Sequence, residues 1–307
     1  MKSGHQALAI VVLAAFLAAA YTFWVAGTAA PELAETNYEA NLIRLEQYFY
    51  GPPARVVLAG SSLTGRLLAS YFTANGVGPV MNLGLDGSSP QVGLEMIRRR
   101  DLFPKLVLVE ANLLGKPVTT NDHLLEEVID SWTFRLADQF SIFRASSRPS
   151  THLYAAFKMR RDETADVPPE STISPSPSRS VGAMPEINAI EIAAKAGIKA
   201  RLLELRQRGA QVMFFRIPAG KPWNTTPTAD LAADLATELQ APMLDLQGAL
   251  LARGAMLNYT DGRHLAAPSA RLAASVLVEL WTKVGKERGQ VFPFDRKKER
   301  LDPALPP

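Results

Sequence analysis

Residues 56–66 read VVLAGSSLTGR. An apolar run stops at Gly60, and two serines, a leucine, a threonine and a second glycine follow. Val56–Ala59 is apolar at successive positions rather than alternate ones, the pattern of a short parallel strand covered on both faces. Small polar residues directly after such a strand are either an ordinary turn capping the next helix or part of a ligand site. In open α/β sheets, ligands bind beyond the carboxyl ends of the strands. The residues at the other strand ends therefore decide what this stretch is.

The same alternation recurs along the chain. PVMNLG at 79–84, KLVLVEAN at 105–112, AQVMFFRIP at 210–218 and APMLDLQG at 241–248 read as four more strands. Between them, SLTGRLLASYFTANG at 62–76 predicts one helix ending near Gly76, and SSPQVGLEMIRRR at 88–100 a second. Ser89 is placed as N-cap of that second helix, with Pro90 at its first position and Arg98–Arg100 as a solvated end. Residues 185–209 place Ile187, Ile190, Ala194, Ile198, Leu202 and Leu205 on one helical face, with a stop at Gly209. Residues 228–240 and 267–284 complete the series, the last with Pro268 at its start. Five strands alternating with helices imply an α/β fold, a three-layer αβα sandwich around a five-stranded parallel sheet of flavodoxin-like order.

Two regions stand outside this pattern. ALAIVVLAAFLAAAYTFWVAG at 7–27 carries no charge, and about twenty apolar residues span a bilayer as a helix. Tyr21 and Trp24 lie near its far end, where aromatic rings favour the interface, and Lys2 marks the near end as cytoplasmic. A cleaved signal peptide is the other reading, but the stretch is long for one, and candidate cleavage sites near Gly27–Ala30 run into Pro31. We expect an uncleaved single-pass anchor in the plasma (inner) membrane over residues 1–30, with the working domain periplasmic or otherwise extracytoplasmic. Residues 31–54 predict a helical connector, with Tyr38, Leu42, Leu45 and Tyr48 on one face and GPP as its stop. The main domain is expected over 55–285 and a tail over 286–307. Within the domain, 119–185 interrupts the alternation as an insertion. Its first part, HLLEEVIDSWTFRLADQFSIFR at 123–144, suits one or two helices, and 160–180, rich in Pro, Ser and charge, suits a loop or disorder.

Composition removes several function classes. The 307 residues hold 33 Lys and Arg against 30 Asp and Glu, too even a balance for a nucleic-acid binder. There is no cysteine, which excludes disulfides, thiol catalysis and Cys-ligated zinc. His123 and His152 lack partners at metal-ligand spacing and read as surface residues, and His5 belongs to the cytoplasmic end. Neither a metal nor a cofactor is expected.

The strand ends do repeat the polar pattern. Asn82 and Gly84 follow the second strand, Glu110 and Asn112 the third, and NYTDGRHL at 258–265 brings Asp261 and His264 before the last helix. That set holds the parts of an acyl-transfer site. A serine hydroxyl needs a base, His264 suits that role, and Asp261 suits the orientation of its ring. The Ser62 amide at a helix start, the Gly84 amide and the Asn112 carboxamide suit the oxyanion. Gly84 would also let the backbone come close to substrate.

The blocks GSSLTGR, NLGLDGS, VEANLLG and DGRHLAAPSARLA resemble, in order and placement, those of the SGNH hydrolases, also called GDSL esterases/lipases. The resemblance covers residues 55–118 and 185–282, and implies Ser62 as nucleophile, with Gly84, Asn112, Asp261 and His264 in their matching blocks. It departs from the family at two places. Ser61 stands where the family has Asp, and Glu110 where it has Gly. The first change is similar to the membrane-anchored branches that act on cell-envelope polymers. The second makes Glu110 either a warning about the pocket or a substrate contact. Arg216, at the end of the fourth strand, is a second candidate substrate contact, with pairing to Asp245 or Glu110 as its structural alternative. Ser61 is expected to bond the local backbone.

The expected activity is therefore a serine esterase or O-acyltransferase, O-acetyl by preference, on cell-envelope glycan, with envelope-polymer assembly proteins as candidate partners. The rival is a catalytically silent domain that binds glycan or scaffolds polymer export. A lipase would need a large apolar pocket, which no stretch of the sequence demonstrates.

Overall fold

The computed structural model describes residues 2–27, 35–164, 188–218, 227–260 and 264–289. Its elements run α1 (Lys2–Ala26), α2 (Asn37–Tyr50), β1 (Val56–Ser61), α3 (Ser62–Gly65), α4 (Ala69–Ala74), β2 (Val80–Leu85), α5 (Pro90–Arg99) and β3 (Leu106–Glu110). Then come α6 (Thr120–Asp130), α7 (Trp132–Gln139), two short 3₁₀ turns, α8 (Pro149–Thr164), α9 (Asn188–Gln207) and β4 (Gln211–Phe215). The order closes with α10 (Pro227–Glu238), β5 (Met243–Leu244), α11 (Leu246–Ala252) and α12 (Ala267–Glu287). Contacts divide the chain into two compact units, Met1–Tyr50 with Leu124–Val167, and Gly51–His123 with Pro168–Pro307.

The second unit holds the sheet. Among the described residues, five strands form one all-parallel sheet in the order β2-β1-β3-β4-β5. The order reverses between β1 and β3, the position where such sheets open a crevice at their carboxyl edge. β1 and β3 are buried at every position, which is why both read as continuous apolar runs. One face carries Val56, Leu58, Leu106, Leu108, Met213 and Phe215 against α4 and α12, where Phe72 and Trp281 stack with ring centroids 5.7 Å apart. The other face receives α5. A Cβ on Gly93 would lie 3.3 Å from the Ala59 Cβ, so the missing side chain sets how closely this helix seats on β1. α9 buries Ile198, Leu202 and Leu205 and ends just before Gly209.

Three local expectations change. The helix read over 62–76 is broken into α3 and α4. The cause lies in β2: the Asn82 carboxamide donates to the Thr64 and Leu67 carbonyls at 2.8 and 2.7 Å, satisfying acceptors that a continuous helix would have used internally. The arginines ending α5 are not a solvated end. Arg98 and Arg99 bond Glu95, and the buried Arg100 donates to the Gly51 carbonyl at 2.7 Å. Burial pushes the Glu95 carboxyl up, but the bonds from Arg98 and Arg99 outweigh it and hold the pKa at about 2. Ser89 does cap α5, accepting from the Gln91 amide.

The first unit is helical. Its small core joins Leu42 and Ile43 of α2 to Phe134 of α7 and Ala145. The first half of the insertion is thus two helices, and it shares a unit with the connector. α8 extends to Thr164, into the stretch expected to be a loop, and Met159, Arg160, Arg161 and Glu163 are good helix formers. Residues 165–187 and the tail from 290 onward lie outside the described residues. His152, expected at the surface, is half-buried with its ring 4.9 Å from that of Trp24.

α1 contains a 21-residue segment, His5–Val25, long and apolar enough to cross a membrane. Glu46 of α2 is buried, and both its oxygens accept from the Ala145 amide, at 2.8 and 2.9 Å. Burial raises its pKa from 4.5 to about 7, against the pull of the Ala145 and Ser146 amides. Because the folded pKa is the higher one, its contribution is full below about 4.5 and is lost as pH rises through about 7. Hydrogen exchange in peptides spanning 141–151, corrected for intrinsic rate, is expected to be faster at pH 8 than at pH 5. Glu46→Gln, which keeps an acceptor and removes the charge, is expected to abolish the difference.

Candidate active site

β1 delivers its last residue, Ser61, to the carboxyl edge of the sheet at the point where the strand order reverses. Ser61 is extended, with φ −91° and ψ −167°, and its Oγ accepts from the Leu63 amide at 3.2 Å, so it caps the one-turn helix α3. Ser62 is the first residue of that turn and is half-buried. His264 comes from the other end of the chain. A β-bridge between Tyr259 and Leu265 closes the loop before α12, and the Thr260 amide donates to the His264 carbonyl at 2.9 Å. That pins the histidine backbone. The side chains then meet: His264 Nε2 and Ser62 Oγ are 2.8 Å apart.

A hydroxyl at that distance from an imidazole nitrogen is placed to lose its proton to it. The chain matches no family model, no curated protein and no solved structure. The chemistry of the site rests on its own geometry. Asp261, the expected orienting carboxylate, lies outside the described residues.

Beneath Ser62 is a buried carboxylate. Glu110, at the end of β3, is 0% exposed. Its Oε2 accepts from the Ser61 amide at 2.7 Å and the Thr64 hydroxyl at 2.6 Å, and the Ser61 hydroxyl donates to Oε1 at 2.8 Å. This corrects the expectation that Glu110 contacts substrate: every bond it makes to the turn runs to the underside, away from bulk solvent. Burial pushes its pKa above the ordinary carboxylate range, and the bonds from Thr64 and Ser61 pull the other way. Ser61 and Glu110, the two residues at which the blocks part from the resemblance, therefore meet in one contact. The carboxylate reaches the turn from β3, and the Ser61 amide and hydroxyl donate to it. Gly60 makes the space. A Cβ there would lie 2.0 Å from Thr64 Oγ1 and 2.7 Å from Glu110 Oε2.

Two of the expected oxyanion donors also make bonds within the protein. The Gly84 amide donates to Asn82 Oδ1 at 2.7 Å. A Cβ on Gly84 would lie 2.2 Å from the Gly65 nitrogen, so this glycine lets β2 press on the α3 backbone. Asn112 is buried, and its carboxamide pairs with the Ile217 main chain, donating at 2.9 Å and accepting at 2.8 Å. That pair fixes the plane of the amide, and with it the direction of the second N–H on Nδ2. α3 has only four residues, which leaves little macrodipole behind the Ser62 amide.

Arg216 follows β4 at the same sheet edge. It lines a cavity of about 410 Å³ with Met243, Leu244, Asp245, Gln247 and Leu251. Asp245 also caps α11, accepting from the Gly248 amide at 2.9 Å. Thr64 is the residue that sequence reading did not single out. Its one trace in the sequence is Glu110 itself, since an acidic side chain closing an otherwise apolar strand needs donors from somewhere.

Proposed function

We propose that the protein is a membrane-anchored serine esterase or O-acyltransferase of SGNH type, acting on ester groups of cell-envelope glycan. The observation that carries the reading is the 2.8 Å contact between Ser62 Oγ and His264 Nε2 at the carboxyl edge of the sheet. The strand order 2-1-3-4-5, which is the flavodoxin-like order, and the sequence of the four blocks support it. α1 is assigned as the anchor, with the cytoplasm on the Lys2 side and the working unit outside.

In this reading His264 Nε2 takes the Ser62 proton as Oγ attacks the ester carbonyl carbon. The tetrahedral intermediate collapses as His264 returns that proton to the leaving alkoxide, and the acyl group stays on Ser62. Water or a sugar hydroxyl then attacks, with His264 again as base, and Ser62 is regenerated. Asp261 orients the imidazole, as the resemblance implies. The Ser62 amide, the fixed second N–H of Asn112 and the Gly84 amide are assigned to the oxyanion, the last sharing its bond to Asn82. Arg216 faces the glycan from its cavity.

One observation favours a second reading. The Gly84 amide and one of the two Asn112 N–H groups are engaged within the protein, which suits a silent domain that binds glycan or scaffolds polymer export. Fluorophosphonate labelling of the full-length protein separates the two. A nucleophilic Ser62 is expected to label, with the adduct mapping to the peptide that contains it and vanishing in Ser62→Ala. Label that persists in that variant overturns the nucleophile assignment, and wild-type protein that takes no label while binding glycan supports the silent domain.

A further inference from the structure

The helical unit carries exposed apolar side chains that its own core does not use. Phe140 and Phe143 lie edge to face, with ring centroids 6.3 Å apart, and both are exposed. On α8, Thr151 and Ala155 are buried, while Leu153 and Phe157, one turn apart, are 60% and 69% exposed. Large apolar groups left in water in this number mark a surface that meets something apolar.

The position of α1 says what that is. Tyr21 and Trp24 lie at the carboxyl end of the His5–Val25 segment. The Tyr21 hydroxyl donates to the Ser147 carbonyl, and the Trp24 ring packs on His152. The 3₁₀ turn Ser141–Phe143 packs on α1 as well. Tyrosine and tryptophan at the end of a spanning helix sit at the level of the lipid headgroups. Everything they touch within this unit is held at that level, including the turn bearing Phe143 and the first turns of α8. α1 itself exposes Leu8, Phe16 and Leu17, on the amino-terminal side of Tyr21 and Trp24.

We propose that Phe140, Phe143, Leu153 and Phe157 insert into the headgroup–acyl boundary of the same bilayer that α1 crosses, so that residues 140–157 form an in-plane membrane face beside the anchor. The proposal rests on reading α1 as a membrane-spanning helix, and is independent of the serine chemistry. Interfacial elements of this kind bury an apolar face several ångströms deep and keep their polar groups outward.

The absence of cysteine makes the test direct, since each introduced thiol is the sole labelling site. Full-length Phe143→Cys, Leu153→Cys and Phe157→Cys proteins are labelled with an environment-sensitive fluorophore and reconstituted in vesicles of phosphatidylcholine and phosphatidylglycerol with or without doxyl-labelled lipid. Phe16→Cys in α1 is the membrane control. The fluorophore conjugated to free cysteine and to glutathione, in the same vesicle suspension, gives the aqueous controls. Labels at 143, 153 and 157 are expected to be quenched by doxyl lipid at least about twofold more than the aqueous controls. If they match those controls while Phe16→Cys is quenched, the in-plane face is overturned and the anchor stands. Labels shielded from water yet unquenched by lipid also overturn it, since protein then covers the face. If Phe16→Cys itself is not quenched, the anchor reading fails and takes this proposal with it.

Discussion

Ser62→Ala and His264→Ala are each expected to lower ester turnover by about 10³-fold or more, and the double variant to lose no more than either alone. The reason is the shared proton. With Oγ and Nε2 at 2.8 Å, the two side chains act as one group, and removing either leaves the other without a role. Binding should survive, so KM should move little while kcat falls. Initial rates on p-nitrophenyl acetate, with and without a glycan acceptor, check this and separate hydrolysis from transfer. Losses that multiply in the double variant would mean that the serine and histidine serve different steps.

Glu110→Ala is expected to destabilise the sheet-bearing unit by about 3 kcal/mol or more, because the Ser61 amide and the Thr64 hydroxyl lose their acceptor in a dry place. For a unit of this size that lowers the melting temperature by roughly 6–12 °C. Glu110→Gln is expected to cost far less. Its carboxamide oxygen can accept from Ser61 and Thr64 at the Oε2 position, while its N–H donates to Ser61 Oγ, whose hydroxyl is free to rotate. Thermal unfolding of the two variants, beside the rate of fluorophosphonate labelling, is the measurement. A glutamine variant as damaged as the alanine one would show that the charge, rather than the bonding pattern, holds the turn.

The parallel sheet was legible because strands buried on both faces leave continuous apolar runs, as in Val56–Ala59 and Leu106–Val109. The helix break after Gly65 was not, because its cause is Asn82 on a neighbouring strand, and helical periodicity carries no trace of a side chain arriving from outside. Ser62 and His264 could be nominated from their places at strand ends, but 202 residues separate them, and only the folded chain puts a distance on the pair. The role of Glu110 stays open in the sequence, between a warning about the pocket and a substrate contact, because a single sequence names an acidic strand end without naming its donors. Those donors, Ser61 and Thr64, lie on either side of Ser62.

The bonding of that turn has a consequence for assembly. β1 supplies Ser61 and leads into Ser62, β2 supplies the Asn82 clamp and the Gly84 gap, and β3 the carboxylate, each correct only in the register that sets Gly60 against Gly84 and Ala59 against Val109. A slip of one residue between β1 and β3 would swing the carboxylate to the opposite face and leave the turn unsupported. A half-folded chain would then present Ser62 on an unsupported turn, and its approach to His264 would date the closing of three strands.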